Sequence, residues 1–307
     1  CTKQMLNEIM DAGTLNRKEF DILVFLLDHK RKTQRETALS TAMSVGSVNK
    51  TLKDLTKRGL VEKGSITMKG INALEPYRVK RAIFIAAGFG TRLVPITLNT
   101  PKPLVRVNGK RLIDGLLDAV LAAGIEDIFI VRGYLGEQFD QLKYKYPTIQ
   151  FLENPVYNEA NNISSIMCAR YLLSNAYVFE ADLLLSNPSI VKRYQYASNF
   201  LGFRTGRSDD WCFEVKNGII TQQKIGGINC YQEVGISYWT DSDGKKLSKH
   251  IKAAYDMPGG KELYWDQIMF RVFPNEYTIE IRECSPEDVT EIDTFRELKE
   301  IDKTYDV

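Results

Sequence analysis

Along the first quarter of the chain, apolar residues recur at the spacing that buries one face of a helix. Phe20, Leu23, Val24 and Leu27 follow Asn16, a side chain suited to a helix start. Thr33 and Glu36 have the spacing of a capping box, which predicts a second helix reaching about Ala42-Met43. Ser44 opens a third helix, with Val45, Val48, Leu52 and Leu55 inward, Ser47, Asn49, Lys50, Lys53 and Lys57 outward, and Gly59 as its stop. Residues 60–62 and 65–67 alternate on either side of Lys63-Gly64, which predicts a small hairpin. From Lys80 the periodicity changes. Residues 82–86, 128–131, 149–152 and 177–179 are short, almost wholly apolar runs, and residues 112–123, closed by Gly124, and 162–173 form helical patterns between them. Strands apolar along their whole length belong in a sheet covered on both faces. The prediction is a doubly wound, mainly parallel α/β sheet preceded by a small helical module, with ligands at the carboxyl ends of the strands.

Composition and charge add a boundary. A chain of 307 residues with 44% hydrophobic and 26% charged residues has ordinary globular composition. Residues 1–75 carry 13 Lys and Arg against 9 Asp and Glu, leaving 28 against 30 for the remainder, so a net charge of +2 hides a basic first part. The predicted domains are 1–76 and 77–307. No run of about 18 apolar residues occurs, and residues 1–10 are polar and mixed, so a soluble, cytoplasmic protein with no membrane partner is expected. Five scattered cysteines without a C-x-x-C pair indicate neither a disulfide framework nor a zinc site.

The first predicted strand runs directly into Ala86-Ala87-Gly88-Phe89-Gly90-Thr91-Arg92-Leu93, and Pro101-Lys102-Pro103-Leu104 follows. Small residues let backbone N–H groups approach an anion, while Arg92 and Lys102 bring fixed positive charge, so the segment is a candidate polyphosphate cradle. Leu93 stands where a dinucleotide fingerprint needs its third glycine, and no Gly-Lys-Ser/Thr follows as in a Walker loop. Carboxylates suited to a hard divalent cation stand at two places, Glu180-Ala181-Asp182 and Glu291-Ile292-Asp293. Asp293 also precedes Thr294-Phe295-Arg296-Glu297, where a helix N-cap belongs. Neither His29 nor His250 lies near a nucleophile motif, so no catalytic triad is indicated.

These motifs together resemble the sugar-nucleotide pyrophosphorylase and cytidylyltransferase superfamily over residues 81 to about 303. The resemblance implies a nucleotide-diphospho-sugar transferase fold that moves a nucleoside monophosphate from an NTP. It places Ala86, Ala87, Gly88, Phe89, Gly90 and Thr91 around the nucleotide phosphates and Arg92 and Lys102 at the α-phosphate as catalytic cations. It implies magnesium as cofactor, held by Asp182 and Asp293. Asn154, Asn161, Asn162 and Ser164 belong beside the nucleotide on the same basis, and Gly133 and Tyr134, at the end of a strand, form another candidate pocket edge.

Asn154-Pro155-x-Tyr157, Asn161-Asn162-Ile163-Ser164-Ser165 and Leu263-Tyr264-Trp265-Asp266 look like the bacterial phosphocholine cytidylyltransferases. CTP and phosphocholine are then the expected substrates. A trimethylammonium group has no hydrogen to donate and is bound by aromatic faces. Trp211, in what reads as the polar loop 208–210, with Tyr264, Trp265 and Asp266, is the expected choline site; Glu180 receives no role. Acceptors of the aminoethylphosphonate or sugar-phosphate kind remain as alternatives, as does a regulator that uses the domain as a nucleotide sensor. Residues 33–70 resemble the MarR-like winged helix-turn-helix modules, which implies DNA as a candidate partner for that segment.

Overall fold

The computed structural model describes residues 14–29 and 32–306; the polar opening stretch 1–10 lies outside them. Two compact units emerge: the described residues up to Arg78 together with Tyr194–Tyr196, and the rest of the described chain.

In the first unit, α1 (Arg17–Asp28) starts at Asn16, whose side chain accepts from Glu19 N at 3.1 Å while the Glu19 carboxylate accepts from Asn16 N at 3.0 Å. Its buried stripe is Phe20, Ile22, Leu23 and Leu26; Val24 and Leu27, expected inside, are only half-buried. α2 (Gln34–Ser40) has the capping box of Thr33 and Glu36. α3 (Val45–Lys57) is capped by Ser44 and buries Val48, Thr51 and Leu55. Val45 lies in its first turn and is exposed, against expectation, whereas Lys50, Lys53 and Lys57 do face solvent. β1 (Val61–Glu62) and β2 (Ser65–Ile66) pair antiparallel across Lys63 and Gly64, both at positive φ. α4 (Met68–Leu74), capped by Thr67, completes the unit.

The second unit is built on a seven-stranded sheet. β3 (Arg81–Ile85) is its pivot. Alternate residues of β3 serve opposite cores: Ala82 and Phe84 pack in one cluster, Ile83 in the other. A short hairpin, β4 (Arg106–Val107) and β5 (Lys110–Arg111), leads into α5 (Leu112–Ala122), whose Ile113, Leu116, Leu117 and Val120 join the first cluster. β6 (Asp127–Arg132) runs parallel to β3, and β7 (Gln150–Glu153) parallel to β6. α6 (Ile163–Ala169) covers the second face and passes into a 3₁₀ turn at Arg170–Leu172, so the single helix expected over 162–173 is two pieces. β8 (Ala176–Glu180) lies parallel to β3 on its other side, followed by the short β9 (Leu183–Leu185).

The sheet continues in a way the apolar pattern does not announce. β10 (Asn199–Lys216) and β11 (Ile219–Trp239) form a long antiparallel hairpin with several register shifts, and β11 joins β8 antiparallel. α7 (Asp241–Asp256) adds Leu247, Ile251 and Ala254 to the second core, and β12 (Glu280–Glu283) lies parallel to β10. β13 (Val289–Glu291) pairs antiparallel with β9, Glu291 opposite Leu183. That pairing brings the residues after β8 and after β13 to one place. α8 (Phe295–Ile301) closes the chain's regular structure.

Candidate active site

β3 delivers the glycine loop to the carboxyl edge of the sheet, where Ala86 N donates to Val131 O at 2.9 Å. Gly90 adopts φ +62°, and a Cβ there would stand 2.9 Å from Cβ of Lys102, so glycine lets the loop close onto the lysine stem. Lys102–Leu104, entered from Pro101, forms a 3₁₀ turn that aims the lysine inward; Lys102 is 6% exposed. Its ammonium lies 2.7 Å from Asp182 Oδ2 and 3.1 Å from Asp293 Oδ1. Arg92 Nη1, on the solvent side, meets Asp293 Oδ2 at 2.6 Å. Four residues from three separate segments, each proposed from sequence, therefore converge.

Electrostatics of this cluster follow from burial and crowding. Burial acts to lower the Lys102 ammonium, but Asp182 and Asp293 outweigh it and the pKa is raised, so the charge is fixed. For Asp293, burial acts upward and is overcome by Lys102 and Arg92, which leaves it below the usual carboxylate range. Glu291 is pushed up to about 8 by desolvation and by Asp182 and Asp293. Thr294, rather than Asp293, caps α8, its hydroxyl accepting from Glu297 N at 3.2 Å. The Asp293 carboxylate is thereby left to the lysine and arginine.

The donor set suits a hard divalent cation. Asp182 and Asp293 share one ammonium, and single carboxylate oxygens of Asp210, Glu291 and Asp293 lie within 4.8 Å of one another. Carboxylates outnumber the two cations here, and crowding by Asp182 and Asp293 adds to desolvation in raising Glu291. Asp210 and Glu291 were not assigned from sequence. Asp210 reaches the site on the long hairpin, whose course was not readable.

Two clefts adjoin this cluster. One, of about 390 Å³, is lined by the glycine loop, Arg92, Lys102, Glu180, Asp182, Tyr264, Glu291 and Asp293. The other, of about 570 Å³, is lined by Ala87, Gly88, Phe89, Asn154, Tyr157, Asn161, Asn162 and Ser164 among others. Ile85, Gly88, Asn161 and Asn162 border both. Asn162 occupies the N-cap position of α6 but its side chain makes no capping bond; its Oδ1 accepts from Trp265 N at 2.8 Å, and Asn161 Nδ2 donates to Glu262 O at 3.2 Å. These asparagines tie the wall of the clefts to the 262–265 segment. Asn154 is buried and donates to Ser164 Oγ at 2.9 Å and Ser165 Oγ at 3.2 Å, so it and Ser164 shape the wall. Gly133 and Tyr134 line neither cleft. A Cβ on Gly133 would strike the Tyr157 ring at 2.7 Å, and Tyr134 packs on Phe89, ring centroids 5.1 Å apart.

The four residues expected at choline separate. Trp211 lies on β10, not in a loop: Ser208 pairs with Gly227 and Trp211 with Ile225, so the polar Asp209-Asp210 is a bulge in the strand. Its ring meets Tyr264 edge-on, centroids 5.8 Å apart, and Tyr264 lines the cleft that holds Lys102, Asp182 and Asp293. Trp265 is a correction. It is 4% exposed and packs in the core against Phe200 and Trp239, because its neighbour Tyr264 takes the outward direction. Asp266 is held beside Gln223 and Glu233, and burial raises its pKa. Glu180, which lines the cleft, is also raised, by burial first and then by Asp182, Glu291 and Asp266.

Residues 81–198 match the Nucleotidyl transferase family, and residues 14–66 match the MarR family. A 2-aminoethylphosphonate cytidylyltransferase of Lancefieldella rimae is 37% identical over 78% of this chain and 96% of its own length. A choline-phosphate cytidylyltransferase of Streptococcus pneumoniae is 35% identical over 72% of this chain and 97% of its own. The solved structure of CTP:phosphocholine cytidylyltransferase from Streptococcus pneumoniae superposes with a TM-score of 0.68 at 30% identity, covering 74% of this chain and 99% of that one. The chain belongs to the nucleotidyl transferase family, among its cytidylyltransferases, and carries a MarR-like winged-helix module ahead of that domain. No helix among the described residues is long and apolar enough to cross a membrane.

Proposed function

We propose that the protein transfers CMP from CTP to phosphocholine, giving CDP-choline and pyrophosphate. The observation that carries the proposal is the buried Lys102 ammonium, fixed between Asp182 and Asp293 at the end of the glycine loop, with the Tyr264 ring on the same cleft. An acceptor phosphate oxygen attacks the α-phosphorus, and the bond from that phosphorus to the β-phosphate's bridging oxygen breaks. Phosphocholine's phosphate is already anionic near neutral pH, so no side chain has to deprotonate it. Lys102 and Arg92 are charged in advance, and they meet the negative charge that develops on the α-phosphate and the departing pyrophosphate. Gly88 and Gly90 keep the loop backbone close to the phosphates. Asp182 and Asp293 would hold magnesium, with Glu291 and Asp210 adjacent; when bound it reduces repulsion between the phosphates and offsets leaving-group charge. Trp211 and Tyr264 offer a two-walled aromatic corner for the trimethylammonium head.

A specific observation favours 2-aminoethylphosphonate as a second acceptor. Glu180 lines the same cleft as Tyr264 and acts electrostatically on Glu233 and Asp266, and a primary ammonium, unlike a trimethylammonium, donates hydrogen bonds to carboxylates. Initial rates of pyrophosphate release with CTP, magnesium and each acceptor decide. Phosphocholine is expected to exceed 2-aminoethylphosphonate in kcat/KM by roughly tenfold or more. The reverse order selects the phosphonate, and a sugar phosphate turned over faster than both defeats the choline assignment.

A further inference from the structure

Gln223 carries an arrangement that the proposed chemistry has not used. β11 folds past β10 so that Phe213 is paired with Gln223 on one side and with Tyr231 on the other, and Cys212 likewise with Lys224 and Gln232. This doubling brings Gln223 beside Glu233, ten residues further along the same strand. The single amide nitrogen of Gln223 donates to Glu233 Oε2 at 2.7 Å and to Asp266 Oδ2. An amide NH₂ has two hydrogens, so both are committed, one to each carboxyl group.

We propose that Gln223 is a positioning residue for the acceptor, holding the carboxyl groups of Glu233 and Asp266 side by side where the ammonium head of the acceptor binds. Negative charges on two neighbouring carboxyl groups repel, Glu233 and Asp266 also hydrogen-bond to each other, and among the described residues neither forms an ion pair with a lysine or arginine. The amide offsets part of that repulsion without adding a charge that would compete with the substrate. Glu180, at the end of β8 and on the cleft that Tyr264 also lines, acts electrostatically on both carboxyl groups. Burial is the main force pushing Glu233 toward its protonated form, and the Gln223 hydrogen bond opposes it. Gln223 thus opposes part of that shift, while burial and then Asp266 leave Glu233 raised well above the usual carboxylate range.

The proposal rests on an ammonium-bearing acceptor, and its test separates the two claims. KM for acceptor, KM for CTP and kcat are measured for wild-type protein, Q223L and the exchange variant Q223E/E233Q, with phosphocholine and with 2-aminoethylphosphonate. Q223L is expected to raise the acceptor KM roughly tenfold, the size expected for losing hydrogen bonds to charged groups, with the CTP KM nearly unchanged. The exchange variant restores one amide between two carboxyl groups and should recover most of the loss. Wild-type protein that uses neither acceptor sinks the proposed function and this role together. If wild type uses an acceptor and Q223L matches it, or raises both KM values alike, or if the exchange variant recovers nothing, only the role of Gln223 falls.

Discussion

Replacing Lys102 with Met is expected to lower kcat for pyrophosphate release by about 10³-fold, the upper range for removing one fixed donor from a developing anion. Methionine keeps much of the stem's volume and removes only the charge. The ammonium it removes is buried and touches both Asp182 and Asp293, so the two carboxylates lose the cation they share. Arg92 remains on Asp293 but is largely exposed, and water screens it. A thermal melt separates loss of chemistry from loss of fold. A K102M protein that melts like wild type and keeps more than about a tenth of its kcat would remove Lys102 from the catalytic set.

Asp182→Ala carries an effect of the same order. A metal-held transition state is worth several kcal/mol, which corresponds to about 10³-fold or more in rate. Asp182 stands immediately after β8, and its carboxylate faces Lys102 rather than the apolar core, so the change is expected to leave the melting transition close to wild type. Single-turnover rates at rising magnesium concentration check this. D182A with wild-type rates at ordinary magnesium would contradict the assignment of that carboxylate to the metal.

What the sequence disclosed, and what it hid, follows the range of the interactions concerned. The glycine loop, the Asn16 cap of α1 and the capping box of α2 are local chemistry, set by residues within three or four positions, and they stand where the residues placed them. β3, apolar on both sides because both of its faces are covered, was equally plain. Lys102, Asp182 and Asp293 were identifiable by kind and by resemblance; their meeting at one ammonium depends on β9 and β13 pairing across about a hundred residues. The acceptor end was poorly legible for the same reason. Trp265 and Tyr264 are neighbours in sequence and opposites in direction, which no composition argument can assign. Polar Asp209-Asp210 imitates a loop because a bulge carries turn-like residues inside a strand. Gln223 and Glu233 come together only through the doubled pairing of β11, and nothing in their own neighbourhood marks them.

The most direct measurement is product analysis by phosphorus NMR of the full chain incubated with magnesium, phosphocholine and each nucleoside triphosphate in turn. CTP should disappear with equal appearance of CDP-choline and pyrophosphate, at a rate roughly tenfold or more above that with ATP, GTP or UTP. Release of CMP without a choline conjugate, or consumption of no triphosphate at all, would contradict cytidylyl transfer to phosphocholine.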